Sequence, residues 1–323
     1  MTEAIAAVVA IDRIHPLAER PDKERLIYAK APKWMNYTVA EEIIDDLDEI
    51  LDEEQTPRMP RMPCRLIYGP TNGGKTWIAK RFISKYVQAK HARNHSGDTA
   101  TTADDNTALE ESVSPVLYMQ VHPQPTEARI YEEILKRLGV DVDNGARVTS
   151  KMDLAIDALH DAGVRMLFID EIHNAIVGSR NQQRQFLYTL KYLANDVELS
   201  IVALGTDEAL AAVNTAPEMA SRFYPLPVPA WRDDGAFLAL LRRMAKGIPL
   251  RKPVDLTTDE RISREILAMS EGCIGDIVDV LYRATRRAIR TGTEEITVTA
   301  LRELRYIPFS KRGRPNYGRD RDA

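Results

Sequence analysis

Eight consecutive residues, Gly69-Pro70-Thr71-Asn72-Gly73-Gly74-Lys75-Thr76, fill every fixed position of the spacing G-x-x-x-x-G-K-[ST]. The run before them, Cys64-Arg65-Leu66-Ile67-Tyr68, is a short apolar strand, and the run after them, Trp77 to Tyr86, has helical composition. The motif therefore sits at a strand-to-helix turn, where backbone N–H groups and a helix N-terminus together make an anion site. Gly69, Gly73 and Gly74 let the backbone approach phosphates closely, with Pro70, Thr71 and Asn72 completing the loop. Lys75 would neutralise β- and γ-phosphate charge, and Thr76 would offer its hydroxyl to Mg²⁺. The bland alternative is a glycine-rich turn beside an incidental Lys-Thr. Filled fixed positions and correct flanks favour a site for ATP with Mg²⁺.

A second set of chemical residues lies downstream. Val164-Arg165-Met166-Leu167-Phe168-Ile169 reads as a strand buried on both faces and ends in Asp170-Glu171. Ligands of open α/β sheets bind at that edge. Asp170 is placed to hold Mg²⁺, and Glu171 to orient and deprotonate an attacking water. A further strand, Leu199 to Leu204, ends in Gly205-Thr206, which puts Thr206 where a polar side chain would sense the γ-phosphate. Arg222, in Met219-Ala220-Ser221-Arg222-Phe223-Tyr224, precedes the last core strand as an arginine finger would. A strand-ending turn and a helix-capping surface arginine are the simpler readings of these two.

Composition bounds the partners. The 323 residues carry a formal net charge of −4 and a pI of about 6.0, so polyanion contact requires a local patch. Residues 302–323 hold seven basic against three acidic side chains, a net of +4, which leaves −8 on the rest. Cys64 and Cys273 have no metal-ligand or disulfide spacing, which fits a reducing compartment. The start Met-Thr-Glu lacks a basic leader, and the apolar patch at 4–11 is too short to span a membrane. The expectation is a bacterial cytoplasmic protein with no membrane association.

Four segments follow along the chain. Residues 1–60 are expected to form a helical extension in which Ile43, Ile44, Leu47, Ile50 and Leu51 recur at helical spacing opposite an acidic face. Residues 61–228 alternate strand and helix, with strands near 64–68, 116–121, 165–169, 200–204 and 224–228 and a flexible polar insertion at about 91–115. Residues 229–307 read as helices, with a β-prone piece at 295–298, and form a small C-terminal α-helical lid. Residues 308–323 are a basic, disordered tail. The fold class is α/β: a P-loop AAA+ domain with a parallel five-stranded sheet and this lid.

Beyond the shared motifs the chain resembles the TniB/TnsC family of transposon-encoded AAA+ ATPases. The resemblance is carried by Glu24-Arg25-Leu26-Ile27, Pro32-Lys33-Trp34 and Tyr37 ahead of the core, and by Leu66 to Thr76. It continues through Val121-His122-Pro123, Tyr131 to Leu135, Phe168 to Asn174, Gly178 to Leu187, Gly205 to Ala209 and Ser221-Arg222-Phe223, spanning roughly residues 20–305. It implies an ATP-hydrolysing switch, slow in turnover, that oligomerises as a ring or helical filament on double-stranded target DNA with little sequence preference. It also implies a link between a TniQ-like target selector and a DDE transposase, with hydrolysis driving disassembly. One departure stands out: related lids place an arginine in a Gly-Asp-x-Arg context, whereas Gly275-Asp276-Ile277 is followed here by Val278.

Arg129, Arg147 and Lys151 are the candidate DNA contacts, although each taken alone reads more readily as a solvated surface charge. Two other classes of function share these motifs. A helicase loader-type or signalling AAA+ switch would need no transposase, and a P-loop small-molecule kinase would need an acceptor site that the sequence does not display.

Overall fold

The computed structural model describes residues 14–53, 62–94, 115–123, 125–143, 145–175, 180–215 and 217–312. The apolar patch at 4–11, most of the proline-rich linker, nearly all of the polar insertion and the tail beyond 312 lie outside the described residues.

Two compact units divide the chain. The larger takes Thr38–Thr71 and Lys75–Val228; the smaller takes the described residues up to Tyr37, then Asn72–Gly74, then those from Pro229 onward. Helix α1 (Asp22–Lys30) belongs to the smaller unit and α2 (Thr38–Glu53) opens the larger. The larger continues with β1 (Cys64–Tyr68), α3 (Lys75–Asn94), β2 (Val116–Gln120), α4 (Glu127–Arg137), α5 (Val148–Asp161) and β3 (Met166–Asp170). A 3-10 turn (Ile172–Ala175), α6 (Arg180–Asp196), β4 (Ser200–Gly205), α7 (Asp207–Asn214), α8 (Pro217–Ala220) and β5 (Phe223–Pro227) complete it.

The five strands form one parallel sheet in the order β2-β3-β4-β1-β5. Every residue of β3 and β4 is buried, as continuous apolar runs covered on both faces must be. Helix α4 shows how its sequence sets its limits. The Thr126 side chain accepts from the Arg129 N–H at the start, Glu127 stands in the first turn, and Lys136 and Arg137 stand in the last. Its Ile130, Tyr131, Ile134 and Leu135 are buried against the sheet core.

The boundaries differ from those expected. The described part of residues 1–60 divides between the two units: α2 buries Ile43, Ile44, Leu47, Ile50 and Leu51 within the larger one. Part of its acidic face is neutralised there, Asp46 by Arg65 at 2.7 Å and Asp48 by Lys85 at 2.5 Å. Helix α1 instead packs with the C-terminal helices.

Those helices are α9 (Gly235–Ala245), α10 (Glu260–Ser270), α11 (Ile274–Thr291) and the short α12 (Val298–Arg302). The Asp234 side chain caps α9, and Gly292, in the left-handed region, ends α11. Phe237, Leu240, Leu241, Ile266, Ile277, Val280, Leu281 and Leu301 form their common core. Residues 295–298 make no strand, because the Thr297 side chain accepts from the Ala300 N–H and starts α12. The tail is ordered further than expected, with a 3-10 turn at Phe309–Lys311 and an anchored Arg312. No helix among the described residues is long and apolar enough to cross a membrane.

One buried ion pair ties α1 into this unit. The Arg25 side chain, 0% exposed, donates to Glu294 Oε1 and Oε2, each at 2.9 Å, to Pro249 O at 3.1 Å and to Asp22 Oδ1 at 2.7 Å. Burial alone would raise the Glu294 carboxyl, but the Arg25 hydrogen bonds, the Arg251 N–H and both guanidinium charges hold it below its ordinary value of 4.5. A depressed carboxyl contributes stability at higher pH and loses it as pH falls through the folded-state value. Arg25→Met should therefore cost about 3 kcal/mol in urea unfolding, because it leaves Glu294 buried with Arg251 alone to compensate its charge. The unmodified protein should lose stability on acidification below pH 4.5, and the variant should show less of that loss.

Candidate active site

The site grows from the end of β1. Val228 N–H donates to Tyr68 O at 2.8 Å, drawing the chain after β5 tightly against the first residues of the glycine-rich loop. Gly69 has φ +152°, and a Cβ there would lie 2.2 Å from Val228 O, so only glycine fits. Lys75 begins α3, and its Nζ donates to Gly69 O at 3.0 Å and Pro70 O at 2.8 Å. The ammonium is thus folded along the loop whose phosphates it would meet. Thr71 is exposed, Gly73 is buried, and Asn72 takes a left-handed φ of 60°, a conformation asparagine tolerates.

Thr76, one residue into α3, reaches across to β3. Its Oγ1 donates to Asp170 Oδ2 at 2.7 Å. Tyr118 on β2 donates to the same oxygen at 2.7 Å, and the Glu171 N–H donates to Asp170 Oδ1 at 2.7 Å. Asp170 is 5% exposed, so these donors compensate a nearly dry carboxylate. Burial pushes the Tyr118 phenol well above its ordinary value, and the adjacent Asp170 charge adds to that, so Tyr118 stays a neutral donor. A hydroxyl and a carboxylate oxygen side by side are the hard ligands that a partly hydrated Mg²⁺ takes, so these residues fit that ion.

Glu171 follows at φ +57°, which turns its side chain off the line of β3. Its Oε2 lies 2.9 Å from His173 Nε2. Thr206 precedes α7, and its hydroxyl, hydrogen-bonded to Glu208, is the first cause holding that carboxyl below the usual range. Arg222 donates to Asn195 Oδ1 at 2.6 Å within its own chain. Tyr118, His173 and Glu208 are absent from the sequence-based set. Of these, His173 and Glu208 had a local signal, the first in Asp170-Glu171-Ile172-His173 and the second in Gly205-Thr206-Asp207-Glu208-Ala209.

The candidate DNA contacts separate. Arg129 donates toward His122 Nδ1 at 3.1 Å, and Arg147 is exposed at the N-terminus of α5. Lys151 is 4% exposed and ion-paired to Glu132 at 2.5 Å, so in this chain its charge is compensated inside the unit rather than solvated.

In the smaller unit, Asp276 is 2% exposed and accepts from Tyr306 at 2.6 Å, Arg312 at 2.6 Å and Asn72 at 3.3 Å. Val278, where related lids carry an arginine, is 47% exposed. The guanidinium that meets the Gly275-Asp276 turn comes instead from Arg312.

A P-loop on a central parallel strand, an acid pair at the end of a strand one removed from it, and a second helical unit define the AAA+ class of P-loop proteins. The chain belongs to the TniB family, whose model, described as Bacterial TniB protein, matches residues 25–233. Among curated proteins, none matches the chain. Solved structures of similar fold include the Aeropyrum pernix Orc1 protein in complex with DNA, at 18% identity and a TM-score of 0.60 over 88% of this chain and 69% of that one. Cdc6p from Pyrobaculum aerophilum matches at 16% identity and a TM-score of 0.58, over 88% and 70%. The Aeropyrum pernix ORC2 protein in its ADPNP-ADP complexes matches at 18% and 0.55, over 87% and 71%.

Gly69→Ala should destabilise the larger unit by more than about 1 kcal/mol, since the added Cβ meets backbone and the φ is unsuited to alanine. Chemical unfolding should register this loss together with weakened binding of a fluorescent ATP analogue.

Proposed function

We propose that this chain binds and hydrolyses ATP as a slow switch. In this reading it assembles with ATP on double-stranded DNA and connects a TniQ-like target selector to a DDE transposase, and hydrolysis releases the assembly. The observation that carries the reading is the convergence of Thr76 and Asp170 at 2.7 Å, with Glu171 next in sequence to Asp170 and Lys75 at the start of α3, folded back along the glycine-rich loop. Membership of the TniB family supports the transposition setting, and the Orc1 structure in complex with DNA supports a nucleic-acid partner.

Each residue has a distinct task in that chemistry. Lys75 and the N-terminus of α3 bind the terminal phosphates. Thr76 and Asp170 hold Mg²⁺, which, when bound, neutralises charge on the β- and γ-phosphate oxygens. Glu171 takes a proton from the attacking water as the water oxygen bonds to the γ-phosphorus. The bond to the bridging oxygen breaks, and its electron pair leaves with ADP. Thr206 stands at the end of β4 to report the γ-phosphate, and Arg222 reaches a neighbouring copy's nucleotide.

DNA binding follows from assembly. Outside residues 302–323 the chain carries a net −8, so a single copy is repelled by a duplex. Arg129 and Arg147, repeated along an oligomer, add weak phosphate contacts at high effective concentration. The remaining basic residues of the tail act as a docking arm for the transposase or the DNA flank.

The deciding experiment is co-sedimentation with duplex DNA, with and without a non-hydrolysable ATP analogue. Analogue-dependent, salt-sensitive binding with little sequence preference is expected; a protein that stays monomeric and unbound at low salt overturns the reading. Lys75→Ala should lose nucleotide binding and with it DNA binding. Glu171→Gln should keep both and accumulate on DNA, its turnover falling about 100-fold or more.

Arg222 gives an independent test of the shared site. Arg222→Ala should bind nucleotide normally yet lose turnover by about 1000-fold, the scale of an arginine finger. Mixed with Lys75→Ala protein, it should regain part of that activity, since one copy supplies the arginine and the other an intact loop. Absence of rescue at every ratio, with both proteins folded, counts against action across copies.

A further inference from the structure

We propose that His173 is a positioning residue for Glu171, fixing its carboxylate from a turn clamped against the Thr206 end of β4. The inference rests on the hydrolytic role of Glu171 proposed above and adds a residue to it.

The 3-10 turn carrying His173 packs on β4 and on α7. Its closeness is set by Gly205, where an added Cβ would lie 2.8 Å from Ile172 Cγ2 and 2.5 Å from Ala209 Cβ. No larger residue allows the turn and α7 to close over the strand end together. That closure brings His173 near the Thr206–Glu208 pair, and its charge, when present, contributes to the low Glu208 carboxyl.

Glu171 needs such a partner. It stands at positive φ at the end of β3, with 38% of its side chain exposed and a flexible two-carbon stem. Among the described residues, His173 Nε2 at 2.9 Å is the ion-pair-range partner of its carboxylate.

The imidazole is suited to orienting the carboxylate without protonating it. Among the described residues, His173 Nδ1 is buried with no hydrogen-bond partner, so a proton there would be a stranded donor. The ring proton therefore belongs on Nε2, which donates to Glu171 Oε2. Oε1 is left to accept the proton of water. The tautomer is fixed by burial on one side of the ring and the hydrogen bond on the other.

The test compares His173→Ala, His173→Gln and His173→Asn with the unmodified protein and with Glu171→Gln, measuring ATP turnover on duplex DNA and affinity for a fluorescent ATP analogue. His173→Ala should lower kcat about 10- to 100-fold, the cost of a misplaced reacting group, while analogue affinity changes by less than about twofold. His173→Gln should restore most of the rate, because its amide nitrogen reaches the Nε2 position. His173→Asn should not, because its amide reaches only the unpartnered Nδ1 position. This contrast holds even if the alanine variant folds poorly. Turnover of His173→Ala at or above the unmodified rate, or equal rates for glutamine and asparagine, overturns the inference, and an inactive Glu171→Gln would then leave the base assignment standing. Turnover by Glu171→Gln at the unmodified rate, or none by the unmodified protein, removes the proposed hydrolysis and this inference with it.

Discussion

A carboxylate with almost no exposed surface has to be met by donors, and Asp170 draws them from three separate segments. The hydroxyl of Thr76 arrives on the first turn of α3, the phenol of Tyr118 from β2, and the amide of Glu171 from the chain leaving β3. Leaving any of these unmade in so dry a place would cost on the order of 1–3 kcal/mol. The glycine-rich loop, the edge strand of the sheet and the turn that aims Glu171 are therefore referred to one pair of oxygens. A divalent ion that takes up Asp170 Oδ2 must share it with, or release it from, the Thr76 and Tyr118 hydroxyls.

The smaller unit has its own counterpart. Arg25 and Glu294 stand far apart in the chain and meet without solvent, and Arg251 reinforces them through both its N–H and its guanidinium. Such a pair adds little net stability but penalises any arrangement that separates its members. It fixes where α1 docks. Asp276 does the same for the end of the described chain, gathering Tyr306 and Arg312 at one buried carboxylate.

Much of this was legible before any coordinates. The phosphate loop and the acid pair depend on local spacing, and β3 and β4 on unbroken apolar runs, so both are written in contiguous sequence. Tyr118 was not legible because its role depends on parallel register. Gln120 pairs with Asp170 and Tyr118 with Phe168, so alternation places the Tyr118 side chain on the same sheet face as Asp170 only once β2 is known to lie beside β3. The pairing of Lys151 was hidden for the complementary reason. One lysine on a helix reads as surface charge until α4 supplies Glu132 to cover it. The tail was misjudged at its start because composition cannot reveal that Arg312 has a buried carboxylate waiting for it.

The order of strands has a consequence for how the molecule is made. β1, which carries the phosphate loop, is synthesised first but lies between β4 and β5, which are synthesised last. Cys64 cannot find its neighbours until Ile201 and Phe223 have left the ribosome. Until then an apolar strand has both backbone edges open, in a topology dominated by distant pairings that close slowly. The strand that carries the glycine-rich loop thus stays unpaired throughout the synthesis of residues 69–200, the kind of exposed edge on which misassembly and chaperone capture act.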